Sequence, residues 1–117
     1  MNPFTTPDAI YVYDRPQDMR AGIDSLSRVV AAEMGMGPAD GSLYVFVSRD
    51  RRRLKMLRYE GGAWCMWHLR LAGRRVAWEW GAGEAAREVG RRELLWVIEG
   101  LASGPEPPAA SGSLIVL

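Results

Sequence analysis

A chain of 117 residues, 48% hydrophobic and 25% charged, has the size and apolar content of one domain with a modest core. Its longest apolar runs, LYVFV and AWCMW, fall far short of the ~20 residues that cross a bilayer, and MNPFTTPDAI has neither the basic head nor the apolar centre of a signal peptide, so a soluble cytoplasmic protein without membrane contact is expected. A net charge of +1 argues against a uniformly basic nucleic-acid binder, and the single cysteine, Cys65, leaves no internal disulfide.

Residues 1–8 carry two prolines and no periodicity, the composition of a flexible N-terminus ahead of a domain over 9–102. Residues 9–13, AIYVY, are β-branched and aromatic and predict a first strand. Asp14, Arg15 and Pro16 close it and open a helix over 17–34, where Met19, Ile23, Leu26, Val30 and Met34 recur at helical steps. GMGPADGS, 35–42, ends that helix. Four strands are predicted next, over 43–47, 54–59, 63–69 and 75–80, separated by an arginine-rich turn, by Gly61-Gly62 and by LAGRR. A last helix begins at Arg91 with Gly90 as its cap, and 103–117 reads as a disordered tail. The expected fold is α+β in a single domain: N-terminal strand and helix, four-stranded antiparallel meander, C-terminal helix.

Charge is segregated along this order. Between Arg49 and Arg75 stand nine cations (Arg49, Arg51, Arg52, Arg53, Lys55, Arg58, Arg70, Arg74, Arg75) and two acids, a net +7 that leaves −6 for the rest. Such clustering makes a local positive field on a near-neutral molecule and marks these nine as candidate contacts to nucleic-acid phosphates. Lys55 is the sole lysine, so the preponderance of arginine also fits GC-rich coding. In AWCMWHLR, alternation points Trp64, Met66 and His68 one way and Cys65, Trp67 and Leu69 the other, making both faces apolar. Two helices cover one face of such a sheet, so the second is expected to expose aromatics beside arginines or to meet another subunit.

No catalytic constellation is visible. His68 is the only histidine and lacks a partner at metal-ligand or acid–base spacing. Cys65 lies three residues away on the opposite face, which breaks a Cys/His dyad. The acids form no recognisable metal set, and GMGP and GAGE lack the lysine of a phosphate loop. Neither enzymatic activity nor a cofactor or metal is expected. Asp18 and Arg20 at the head of the first helix read as a cap or a local ion pair.

QDMRAGIDSL (17–26), SLYVFVSRDRRRLKMLRYEGG (42–62) and LRLAGRRVAW (69–78) together resemble the TnpB-type accessory protein of the insertion sequence 66 family, the product of that element's second open reading frame. The motif is carried by Asp18, Met19, Arg20, Gly22, Asp24 and Leu26, then by Val45, Phe46, Lys55, Leu57, Arg70, Leu71 and Trp78, and last by Leu94, Leu95 and Gly100. Leu69 replaces a family lysine and Glu79 a family proline, the marks of a diverged member. The resemblance implies a helper of bacterial DNA transposition that works beside a separate transposase, and with no catalytic constellation in the sequence a non-catalytic role is expected. Its expected partners are that transposase, element DNA, or both. The alternative is a protein-interaction module or homodimeric scaffold with no direct DNA contact.

Overall fold

The apolar residues of IYVYDRP form β1 (Ile10–Pro16), and in the computed structural model, which describes residues 7, 9–77, 79–81 and 83–99, this strand lies inside a sheet. There follow α1 (Ile23–Ala32), β2 (Leu43–Val47), β3 (Arg53–Glu60), β4 (Ala63–Arg70), β5 (Ala86–Val89) and α2 (Arg91–Glu99). The five strands make one mixed sheet in the order β4-β3-β2-β1-β5. α1 carries the chain from β1 to β2, which runs parallel to β1 with Ile10 beside Leu43 and Val12 beside Val45. The other three pairings are antiparallel.

α1 is shorter than the 17–34 its apolar spacing predicts. The Asp18 carboxylate accepts the Arg20 backbone N–H at 2.8 Å, a local turn that competes with the helical ladder and holds the chain open until Gly22. Met19 still packs into the core from this loop, beside Leu26, Val30 and Met34 of the predicted stripe. Gly35, at φ 66°, takes the left-handed conformation that stops the helix.

Two further expectations are corrected. The described residues of 75–80 are not a fourth meander strand. After β4 the chain leaves the sheet edge and crosses the face opposite α1, its backbone held by single bonds instead of a ladder. The Leu71 N–H donates to the Arg52 carbonyl at 2.8 Å, and the Val76 N–H donates to the Arg51 carbonyl. The fifth strand is β5, which zips onto β1 with Ile10 opposite Val89 and Tyr13 opposite Ala86.

That crossing also corrects the expected open second face. Val76 and Leu94 are buried against Val45, Val47, Leu54 and Met56, and Leu71, Trp80 and Leu95 pack around them. The chain covers this face itself, because reaching the free edge of β1 from the far edge at β4 draws an apolar segment across it. A second cluster under α1 holds Tyr13, Tyr44, Phe46 and Leu57. The sheet is therefore buried on both sides at its centre, as its two-sided apolar strands require.

The β3–β4 connection follows its sequence closely. Gly61 and Gly62 both have positive φ, 61° and 80°, the two-residue geometry whose twist matches antiparallel strands. Register then runs without a shift from Glu60 opposite Ala63 to Arg53 opposite Arg70. The expected flexible residues 1–6 and 8, the tail 103–117, and the motif residues Trp78 and Gly100 lie outside the described residues.

Candidate nucleic-acid interface

The arginine-rich stretch is a tied turn. The Ser48 hydroxyl donates to Asp50 Oδ1 at 2.7 Å and accepts the Arg53 N–H at 3.1 Å, while Asp50 Oδ1 also accepts the Arg52 N–H at 3.1 Å. These contacts hold the Asp50 carboxyl below the usual carboxylate range, the Ser48 hydroxyl contributing most and the Arg52 backbone next. Arg51 adopts a positive φ of 61° at the tip. An unfavourable conformation for a side chain of this size is thus stabilised by a network of short bonds around it.

The crossing segment docks on this turn through the bonds from Leu71 and Val76, so two arginine clusters far apart in sequence meet at one end of the sheet. Arg49, Arg52, Arg53, Arg70, Arg74 and Arg75 are exposed there and Arg51 is half-buried. The remaining two predicted contacts are placed elsewhere. Lys55 is only 6% exposed, and its Nζ donates to the Ala21 carbonyl at 2.8 Å, fastening β3 to the entrance of α1. Arg58, 7% exposed, donates from Nε to the Gly41 carbonyl at 3.1 Å and pairs with Glu60 at 3.2 Å. Both therefore serve the interior, and the outward field is carried by the arginines alone.

Beside the turn lies the loop that carries the DMR motif. Gln17, Asp18 and Met19 face Ser48, Arg49, Asp50 and Arg53 across a cleft of about 330 Å³. Arg20 donates to both Asp18 oxygens, with Nη2 to Oδ2 at 2.6 Å, confirming the predicted local ion pair. These side-chain bonds, followed by the backbone one, lower the Asp18 carboxyl to about 2. Gly22 caps α1 and Asp24 sits in its first turn, where an acid favours the positive end of the helix. The motif is thus a helix-entry device, and its exposed Asp18–Arg20 pair borders the basic turn.

His68 and Cys65 fall on opposite sides of β4, His68 opposite Lys55 and Cys65 opposite Arg58. Among the described residues no three His, Cys, Asp or Glu side chains gather as a metal set would. The residue that sequence reasoning passed over is Asp14. The residue is 2% exposed and its carboxylate accepts the Gly81 N–H at 2.9 Å on each oxygen, anchoring the backbone at Gly81 to the end of β1. Its signal was an acid ending an apolar strand, with a glycine-rich stretch later in the chain to receive it.

What emerges is a small mixed-sheet domain with an arginine-rich end and buried polar anchors. The chain belongs to the family described as IS66 Orf2-like proteins, whose pattern matches residues 8–106, and it is thereby an accessory protein associated with insertion-sequence transposition. It is also similar to the uncharacterized protein y4hO of Sinorhizobium fredii (strain NBRC 101917 / NGR234), 31% identical over 84 residues that cover 72% of each chain. No solved structure matches it significantly.

Proposed function

We propose that this protein is a non-catalytic transposition factor that contacts element DNA through the arginine end of its sheet, alongside the element's transposase. The observation that carries the reading is the docking of the 71–76 segment on the β2–β3 turn, which joins Arg74 and Arg75 to Arg52, Arg53 and Arg70 in one exposed patch. Such a patch attracts phosphates by releasing their counterions, so affinity falls with salt in proportion to the phosphates engaged.

The test is an electrophoretic shift with element-end DNA at low and moderate salt, using the full chain and a variant with Arg52, Arg53, Arg74 and Arg75 changed to glutamine. Neutralising these exposed cations should weaken binding and flatten its salt dependence. Unaltered binding by the variant, or none by either protein at low salt, counts against the reading.

A second reading is favoured by β4 itself. It is an eight-residue edge strand without proline or bulge, paired among the described residues only with β3. Long, regular edges of this kind recruit another strand. Under that reading the protein is a homodimer or a docking module for the transposase. A monodisperse monomer in solution that also fails to co-purify with the transposase would remove it.

A further inference from the structure

On one face of the β3–β4 ribbon, two neighbouring rungs place basic residues opposite each other, against ordinary cross-strand preference. Arg53 stands opposite Arg70, and Lys55 stands opposite His68. Like charges directly opposite each other destabilise a sheet, whereas opposite charges there are favourable. Alternation places all four on the α1 side. Lys55 reaches Ala21 on that side, and Trp64 and Met66, which share the His68 face of β4, pack against the α1-side cluster.

Arg53, His68 and Arg70 are exposed. Asp18 and Asp50 line the cleft beside Arg53 and both feel its charge, Asp18 being also paired with Arg20 and Asp50 held by Ser48 and the Arg52 backbone; the rung partners of Arg70 and His68 are Arg53 and Lys55. The repulsion registers at His68, whose imidazolium is disfavoured first by burial and then by Lys55 and Arg53. Farther along the same face, half-buried Trp64 meets Tyr59 edge to face, ring centroids 4.9 Å apart. From position 70 to position 64 the strand spans roughly 20 Å at about 3.3 Å per residue.

We infer that the α1-side face of the β3–β4 ribbon is a single-stranded DNA site, with the phosphodiester backbone on Arg53, Arg70 and His68 and a base against Trp64 and Tyr59. This rests on the reading that the protein contacts DNA and narrows it to one form and one surface. Phosphates add counter-charge where the Arg53 and Arg70 guanidiniums face each other, the His68 ring can donate an N–H to them, and the aromatic pair offers the π-face that unpaired bases use. A duplex keeps its bases stacked on one another and has no use for Trp64. An acidic peptide satisfies the cations but leaves the rings unused. The span accommodates roughly 3 to 6 nucleotides, taking about 3.4 Å for stacked bases and about twice that for an extended strand.

The experiment is fluorescence anisotropy of the full chain with a labelled dodecathymidylate, with a mixed-sequence duplex of equal length and with an oligoglutamate peptide, between 50 and 200 mM salt. The single strand should bind at least tenfold tighter than the duplex. R53Q/R70Q, both at exposed positions, should weaken single-strand binding at least tenfold and reduce the log–log salt slope by about 1.4, at about 0.7 per phosphate. W64L should weaken it roughly 5- to 100-fold with the slope unchanged, as loss of one stacked base does. R28Q, on the outer side of α1, should match the parent.

Tighter duplex binding, or single-strand binding indifferent to R53Q/R70Q, overturns the inference while leaving DNA contact standing. Binding of oligoglutamate without either DNA overturns both. If W64L fails to fold by circular dichroism, the arginine pair and the single-strand preference still decide.

Discussion

Replacing Lys55 by methionine separates its interior role from a phosphate-contacting one. Methionine keeps most of the apolar stem, so the main loss is the ammonium and its 2.8 Å bond to the Ala21 carbonyl. A hydrogen bond from a charged donor is worth about 1.5–3 kcal/mol, and leaving its partner unsatisfied accounts for much of that figure. Two effects act against the loss. Ala21 is half-buried, so water reaches part of the freed carbonyl, and at acidic pH, where His68 charges, removing the ammonium relieves its repulsion of the facing imidazolium. A net loss of about 2 kcal/mol remains, and at about 4–8 °C per kcal/mol for a domain of this size the melting temperature falls by about 10 °C. Calorimetry or circular dichroism measures the first effect. The second is read from the His68 ring protons by NMR, because the imidazole should titrate at higher pH once Lys55 is gone. A variant that melts with the parent while its DNA salt slope drops would refute the interior assignment and restore Lys55 to the phosphate-binding set.

Three further outcomes are expected. At Gly81 a Cβ would collide with Asp14 Oδ2, so Gly81→Ala should cost about 1–3 kcal/mol, seen as a lower urea midpoint with unchanged slope; an unchanged midpoint would mean the Asp14 anchor does not exist as described. The folded-state pKa of His68 is depressed below 6.5, so the unfolded chain takes up that proton first, and stability present above pH 6.5 should be lost as pH falls below it; His68→Gln should flatten this segment of a stability–pH curve. Leu57 is fully buried under α1, and Leu57→Ala should remove about 2–5 kcal/mol, enough to leave a partly unfolded population by amide exchange.

Local pattern told the elements apart better than it told their neighbours. The run LYVFV is β2 to the residue, and β3 and β4 each extend one residue beyond expectation at one end or both, because β-branched and aromatic runs bounded by polar and glycine turns report strand directly. Pairing is a different matter. Nothing near residues 10–16 states that their partners are Leu43 on one side and Val89 on the other, since those contacts bridge gaps that periodicity does not span. Residues 75–80 misled for a physical reason: Val76 and Trp80 pack against the core with strand-like spacing, yet the Val76 N–H goes to the Arg51 carbonyl of the arginine turn and not to a strand ladder.

Within the candidate interface, the cluster of arginines was legible as a count but not as a surface. Lys55 could have been sorted correctly, because alternation along RLKMLRYE places it with Leu57, opposite Phe46, on a face that must be buried. Arg58 could not, because the carbonyl it serves, at Gly41, belongs to a loop whose position depends on the whole sheet. The rungs of Arg53 with Arg70 and Lys55 with His68 likewise needed the register of the hairpin, which the Gly61–Gly62 turn sets from 6 to 8 residues away.

The placement of β5 has a consequence for the order in which the molecule is made. Residues 10–70 contain four of the five strands and the crossover helix, so a nascent chain can assemble most of its sheet as soon as β4 has left the ribosome. Until residues 86–89 emerge, however, β1 is a bare edge carrying Ile10 and Val12, and for a second or more at about 5–20 residues per second it can pair with any extended chain nearby. Of the described strands, the last to be synthesised is the one that closes that window.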